Sequence, residues 1–167
     1  MIPQTLTNFS LFLAGTSYAG KATKVQLPKL KRKTEAHRGG GMDGEIDMAV
    51  GMEKLEGGFS MTGIDRASLA MFGIADGGAF NGVFRGSFMD RQGAVVAAVC
   101  TFRGLLTEVD MGEWEGGKKN ETKYSCSLDY YKLELDGRVV YELDPVALIR
   151  VIDGVDELAA ERAALGL

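Results

Sequence analysis

Apolar residues in this chain recur mostly at every second position, the period of a strand with one buried face. Asn8 to Ala14, a turn at Gly15-Thr16-Ser17 and a return from Tyr18 to Gly20 predict a hairpin. Val25 to Ala36 reads as one or two strands, with Pro28 at a bend or an edge because it has no N–H for a ladder. Within it Lys29, Lys31 and Lys33 alternate with Leu30, Arg32 and Thr34. Ile46, Met48 and Val50 alternate with Asp47 and Ala49, and Phe59 and Met61 with Ser60 and Thr62. Val83, Arg85, Ser87 and Met89 share a face opposite Phe84, Gly86 and Phe88, and Ala94 to Val109 is a long β-prone run.

Thr122 to Leu135 changes parity. Apolar positions are even at Tyr124, Cys126, Leu128 and Tyr130, then odd at Tyr131, Leu133 and Leu135. A strict strand would leave half of them wet, so a bulge near Tyr130 or a passage from one sheet to another is expected. Asp136-Gly137 supplies a two-residue turn into Val139, Tyr141 and Leu143.

Two helices interrupt the β pattern. Asp65 is the expected N-cap of the first, with Ile64 and Leu69 as a hydrophobic staple and Gly73 as its C′ residue. The second is a short C-terminal amphipathic helix, with Val155, Leu158, Ala159 and Leu165 on one stripe that Arg162 interrupts. The fold class is therefore mainly β, an antiparallel β-sandwich or open barrel with one internal helix and a short C-terminal helix. At 167 residues, a single domain over 1–167 is expected.

Composition sharpens this picture in one respect. Glycine is abundant at 23 residues against 3 prolines, and it falls between the alternating segments, as turns and bulges require. No apolar run approaches the roughly 20 residues of a membrane helix. The N-terminus has neither the basic nor the apolar region of a signal peptide. Cys100 and Cys126 lack metal-site spacing and read as buried free thiols. A net charge of −4 argues against general nucleic-acid affinity.

The candidate chemistry is thin. Gly15-Thr16-Ser17-Tyr18-Ala19-Gly20-Lys21-Ala22 fits a phosphate loop until its last position, where Ala22 replaces the magnesium-binding hydroxyl. The residues after it, Thr23, Val25 and Pro28, predict strand and bend where that motif needs a helix, so a hairpin turn is favoured over a nucleotide-binding enzyme. His37, the only histidine, has no partner at ligand spacing and reads as a surface or interface residue. No carboxylate pair stands out among Asp43, Glu45, Asp47, Glu53, Glu56, Glu108, Asp110, Glu113 and Glu115. Lys29, Lys31, Arg32, Lys33 and Arg38 lack interleaved aromatics for stacking on bases; they suit a protected edge strand or an acidic neighbour. Trp114, alone in an acidic glycine-rich loop, either folds back on the core or anchors an interface.

Four long words carry a family resemblance: Met1 to Asn8, Leu27 to Gly44, Phe80 to Phe88 and Tyr130 to Glu142. Together they resemble the major tail tube protein of contractile-tailed phages and R-type pyocins, colinearly from Met1 to Gly166-Leu167. The resemblance implies a structural subunit, not an enzyme, without cofactor or metal. It implies homohexameric rings that stack into a hollow inner tube, whose sheets join into a continuous channel wall. Implied partners are further copies of the chain, the tail sheath, the tape measure protein, and baseplate and tail terminator proteins. DNA would pass through the lumen of a phage without stable binding. Assembly in the bacterial cytoplasm and residence in a virion tail or extracellular particle follow from the same resemblance. A type VI secretion tube shares the ring architecture and is the alternative.

Within that frame Arg38 to Met52 is expected to connect stacked rings. Gly39, Gly40 and Gly41 free the chain to leave the body; Met42, Asp43, Gly44 and Glu45 are too polar for a private core. Ile46, Met48 and Val50 then offer an apolar edge to a neighbour, with Trp114 as a further contact. The plain alternative is a hairpin folded on its own sheet.

Overall fold

The computed structural model describes residues 2–73 and 80–167. Its strands are β1 (Thr5–Leu13), β2 (Thr16–Ser17), β3 (Ala22–Gln26), β4 (Arg32–His37), β5 (Ile46–Met52) and β6 (Leu55–Thr62). Helix α1 (Arg66–Ala70) follows and runs into a 3₁₀ turn at Met71–Gly73. Then come β7 (Phe80–Met89), β8 (Val95–Asp110), β9 (Glu121–Leu135), β10 (Arg138–Asp144), β11 (Ile149–Ile152), β12 (Val155–Asp156) and α2 (Ala159–Leu165). All pairings are antiparallel.

Ten of these strands form one sheet, in the path β12-β11-β10-β9-β8-β7-β1-β2, with β6 on the free edge of β9 and β3 outside β6. The sheet curls on itself. Phe59 on β6 and Phe80 on β7 lie three strands apart in the ladder, which a flat sheet would hold about 14 Å apart. Their ring centroids are 6.5 Å apart, so β6 folds over β7 and the two enclose the core. Leu11, Leu13, Phe84, Phe102, Leu106 and Tyr124 fill the space between, and Phe59 stacks on Tyr124 at 4.7 Å.

β9 makes this closure possible. Thr122, Tyr124, Cys126 and Leu128 point inward; beyond them Tyr131 does. The register steps from Leu128 opposite Gly104 to Tyr130 opposite Arg103, leaving Asp129 as the extra residue of a bulge. Before the bulge the outer neighbour of β9 is β6; after it the neighbour is β10. Bulge and change of partner therefore coincide. Gly104 is required there, because a Cβ on it would overlap the carbonyl oxygen of Ser127 and come within 2.9 Å of Leu128 Cα.

Several expectations need correction. The first hairpin turns at Ala14-Gly15, both with positive φ, and its return strand is only Thr16–Ser17; Tyr18 leaves it to enter the core at 2% exposure. Leu27 to Lys31 lies outside any strand, so the lysine alternation there is not a strand face. Asp65 does cap α1, but Ile64 is 61% exposed and staples nothing. Gly73 closes a 3₁₀ turn without positive φ, so it is not a left-handed C′ residue. Val155 belongs to β12, and both Val155 and Leu165 are exposed, so α2 has no continuous apolar stripe. Arg162, the apparent interruption, holds α2 down by pairing with Asp156 and donating to the Leu148 carbonyl at 2.7 Å.

Candidate assembly surface

β4 and β5 form a two-stranded ribbon separate from the main sheet. Every residue of β4 is exposed, as are Ile46 to Val50 of β5. Residues directly opposite in an antiparallel pair share a face, so His37 with Ile46 and Glu35 with Met48 make one side of the ribbon. Ala36 with Asp47 and Thr34 with Ala49 make the other. The first side carries the large apolar groups, with Ile46, Met48 and Val50 each at least 51% exposed.

The tip is shaped by its glycines. Gly41 takes a φ of +85°, and Met42 donates its N–H back to the Gly39 carbonyl, closing a turn over Gly39 to Met42. Arg38 donates to the Met42 carbonyl at 3.3 Å. Asp43, Gly44 and Glu45 are exposed beyond it. The root is held by ion pairs, Lys31 with Glu53 at 3.3 Å and Arg32 with Glu157 at 3.2 Å. The sequence-predicted residues from Arg38 to Val50 thus lie together, away from the core.

Trp114 lies apart from them, in the loop joining β8 to β9. It is 62% exposed and its indole N–H donates to the Met111 carbonyl at 3.2 Å, so it does not fold back on the core. The glycine-rich loop before β3 is followed by strand, and Lys21 faces Asp65 at 3.6 Å. That geometry leaves the nucleotide-binding alternative without the helix N-terminus it needs. His37 is exposed at the end of β4. Among the described residues no three His, Cys, Asp or Glu side chains converge as a metal site.

A polar cluster under α1 escaped the sequence reading. Asp65 accepts from the Ser68 N–H at 2.9 Å and from the Tyr18 hydroxyl at 3.0 Å; Ser68 and Tyr124 share a hydrogen bond of 2.8 Å. The Ser68 N–H, chiefly, holds the Asp65 carboxyl below its ordinary pKa. Burial, aided by the Asp65 carboxylate, pushes the Tyr18 hydroxyl up to about 12. Such a cluster fixes α1 to the sheet.

The ribbon stands apart from the main sheet with its apolar side exposed, and comparison with known proteins gives the family in which it occurs. The sequence pattern of phage tail tube protein FII matches residues 3–166. The chain belongs to the phage tail tube family. It is 35% identical to the tail tube protein of Escherichia phage P2, with 99% of each chain covered. It is 32% identical to the major tail tube protein of Serratia phage KSP20, over 99% of this chain and 98% of that one. Among solved structures, the sheath–tube complex of an extracellular contractile injection system, PVC, contains a chain that matches with a TM-score of 0.62 at 8% identity. That match covers 79% of this tail tube chain and 91% of the other. The tube-terminating cap of the anti-feeding prophage matches as well, with a TM-score of 0.62 at 10% identity over 80% and 92% of the two chains. At such identities the shared property is the fold. The role expected from the sequence, a structural tail tube subunit, is the role of this family.

Proposed function

We propose that this subunit forms six-membered rings that stack into the hollow inner tube of a contractile particle, and that the ribbon from Arg38 to Met52 joins one ring to the next. The observation that carries the reading is the ribbon, which stands outside the ten-stranded sheet and exposes Ile46, Met48 and Val50 on one side. An isolated two-stranded ribbon is marginal in water, so a surface to lie on offsets its cost. The likeness in fold to tube and cap proteins of contractile injection systems supports the setting.

In that setting the partners are further copies of the chain, a sheath around the tube, baseplate and terminator proteins at its ends, and a tape measure protein inside. DNA passes through the lumen if the particle is a phage. Assembly takes place in the bacterial cytoplasm, and the finished tube works in the virion tail or extracellular particle. The subunit acts by shape and contact, without catalysis. Trp114 contributes a second contact from the β8–β9 loop.

Replacing Gly44 to Val50 with a Gly-Ser linker tests the connector. Soluble, folded subunits that no longer elongate, seen by negative-stain microscopy, are expected. Tubes of normal length would refute it, and loss of the folded subunit would return the ribbon to the core.

A further inference from the structure

A connector needs a surface on the neighbouring copy, and the main sheet has an unprotected edge that suits it. β1 pairs with β7 from Thr5 to Leu13, but β2 covers only Phe12 and Leu13 on its other side. Tyr18 donates its N–H to the Leu11 carbonyl, so Leu11, and Phe9 two residues before it, turn their backbone groups away from β7. The Phe9 N–H donates to the Asn8 side-chain oxygen at 2.8 Å. Among the described residues no strand pairs with this edge from Thr5 to Ser10.

Edges of this kind are normally guarded by charge or proline. β1 has neither, and no charged side chain precedes Lys21. The sheet beside it is apolar on its core side, where Leu6 stands opposite Phe88 and Phe88 opposite Val96. Leu6 lies over Gly86, where a Cβ would meet its Cδ1 at 2.9 Å, yet it remains 39% exposed. β6 follows β9 only from Glu121 to Leu128, towards the opposite end of β8, so it does not cover this row.

Few strands of the chain suit such an edge. β2 and β12 have two residues each. β3 carries Lys24 at its centre, and its Ala22 and Val25 already pack on the core. β4 carries Arg32, Lys33 and Glu35. β5 has seven residues with one charged side chain, Asp47, and pairs with β4 alone. Its Ile46, Met48 and Val50 share one exposed side.

We infer that β5 of one copy's ribbon adds to the β1 edge of a second copy, beside Thr5 to Ser10, with Ile46, Met48 and Val50 continuing the apolar side that Leu6 begins. The inference rests on the connector reading and assigns its receptor. A ribbon that is marginal as two strands becomes the margin of a larger sheet. The bare edge gains main-chain partners, and the apolar row gains cover. Donor and acceptor strands differ, so the contact is heterologous and can repeat along a stack of rings.

Cysteine pairing in assembled tubes tests this. Leu6→Cys subunits are mixed in turn with Ile46→Cys, Met48→Cys and Val50→Cys subunits, and the tubes are oxidised. Adjacent strands lie about 4.8 Å apart, and the three ribbon positions are spaced by about 6.8 Å. Whichever of them lies nearest Leu6 then comes within about 6 Å of it between Cα atoms, inside disulfide range. At least one mixture should give a linked dimer on a non-reducing gel that neither variant gives alone, since Cys100 and Cys126 are buried. Tubes in which no mixture does so would overturn the inference. Leu6→Lys supplies a second readout by placing a charge on the inward side of the edge. Rings that no longer elongate are expected, and tubes of normal length from folded Leu6→Lys subunits would equally overturn it. If the Gly-Ser ribbon replacement still blocks elongation in that case, the connector stands and only its seat is wrong. If that replacement elongates, the connector itself has failed.

Discussion

Among the described glycines Gly104 has the closest neighbour to a would-be Cβ, and Gly104→Ala asks whether the β9 bulge governs the fold. The added methyl would overlap the Ser127 carbonyl oxygen and approach Leu128 Cα at 2.9 Å. Both obstacles are backbone on the neighbouring strand, so no rotamer change relieves them. Overpacking of a closed core costs about 1–3 kcal/mol, and a clash with paired backbone belongs at the upper end of that range. For a chain of this size each kcal/mol lowers the Tm by about 2–4 °C, which gives a fall of about 6–12 °C. Gly40→Ala is the control, since its Cβ meets nothing within 4 Å and its φ is not positive. It should stay within about 0.5 kcal/mol of the parent protein. Scanning calorimetry on both variants, at concentrations too low for assembly, compares them directly. Equal Tm values for the two alanine variants would show that β9 tolerates displacement at Leu128, and the argument that the bulge fixes the closure would fall.

Asp65→Ala removes the cap of α1 and leaves the Tyr18 hydroxyl without its acceptor, so unfolding by urea should show a loss of about 1–3 kcal/mol at neutral pH. Because the folded pKa of Asp65 is depressed, its contribution is complete above the unfolded carboxyl range near 4 and is lost as pH falls through the folded value. The gap between parent and variant should therefore narrow in acid, and a gap independent of pH would contradict the assignment. Gly137→Val places a β-branched residue at a φ of +77°, costing about 2 kcal/mol or more and lowering the urea midpoint; an unchanged midpoint would exclude the type I′ turn.

The parts of the fold that were legible are those in which local periodicity and burial agree. The parity change in β9 is one: Leu128 and Tyr131 are both buried and only an extra residue between them permits it. The Asp136-Gly137 turn is another, since both residues take positive φ and Asp-Gly is among the few dipeptides that do so readily. Errors arose where a tertiary partner overrode a local pattern. Val155 and Leu165 look like helix stripe, yet Arg162 fastens α2 by polar contacts. The alternating lysines before Arg32 look like a strand, yet no neighbouring strand pairs with them. β11 went unrecognised because all four of its residues are only half-buried, which weakens any alternation. The ribbon was legible because it stands outside the core, so nothing else in the fold competes to explain its exposed Ile46, Met48 and Val50.

Cys100 and Cys126 sit fully inside the β-body, and burial pushes both thiols up to about 11. At neutral pH neither offers a reactive thiolate. For an isolated subunit that is a minor detail, but a polymer multiplies every surface group by the number of its copies. One accessible thiol per subunit would line an entire tube with sites for crosslinking and slow oxidation. Keeping both thiols out of reach leaves a long assembly without the means to weld itself to its neighbours by disulfides.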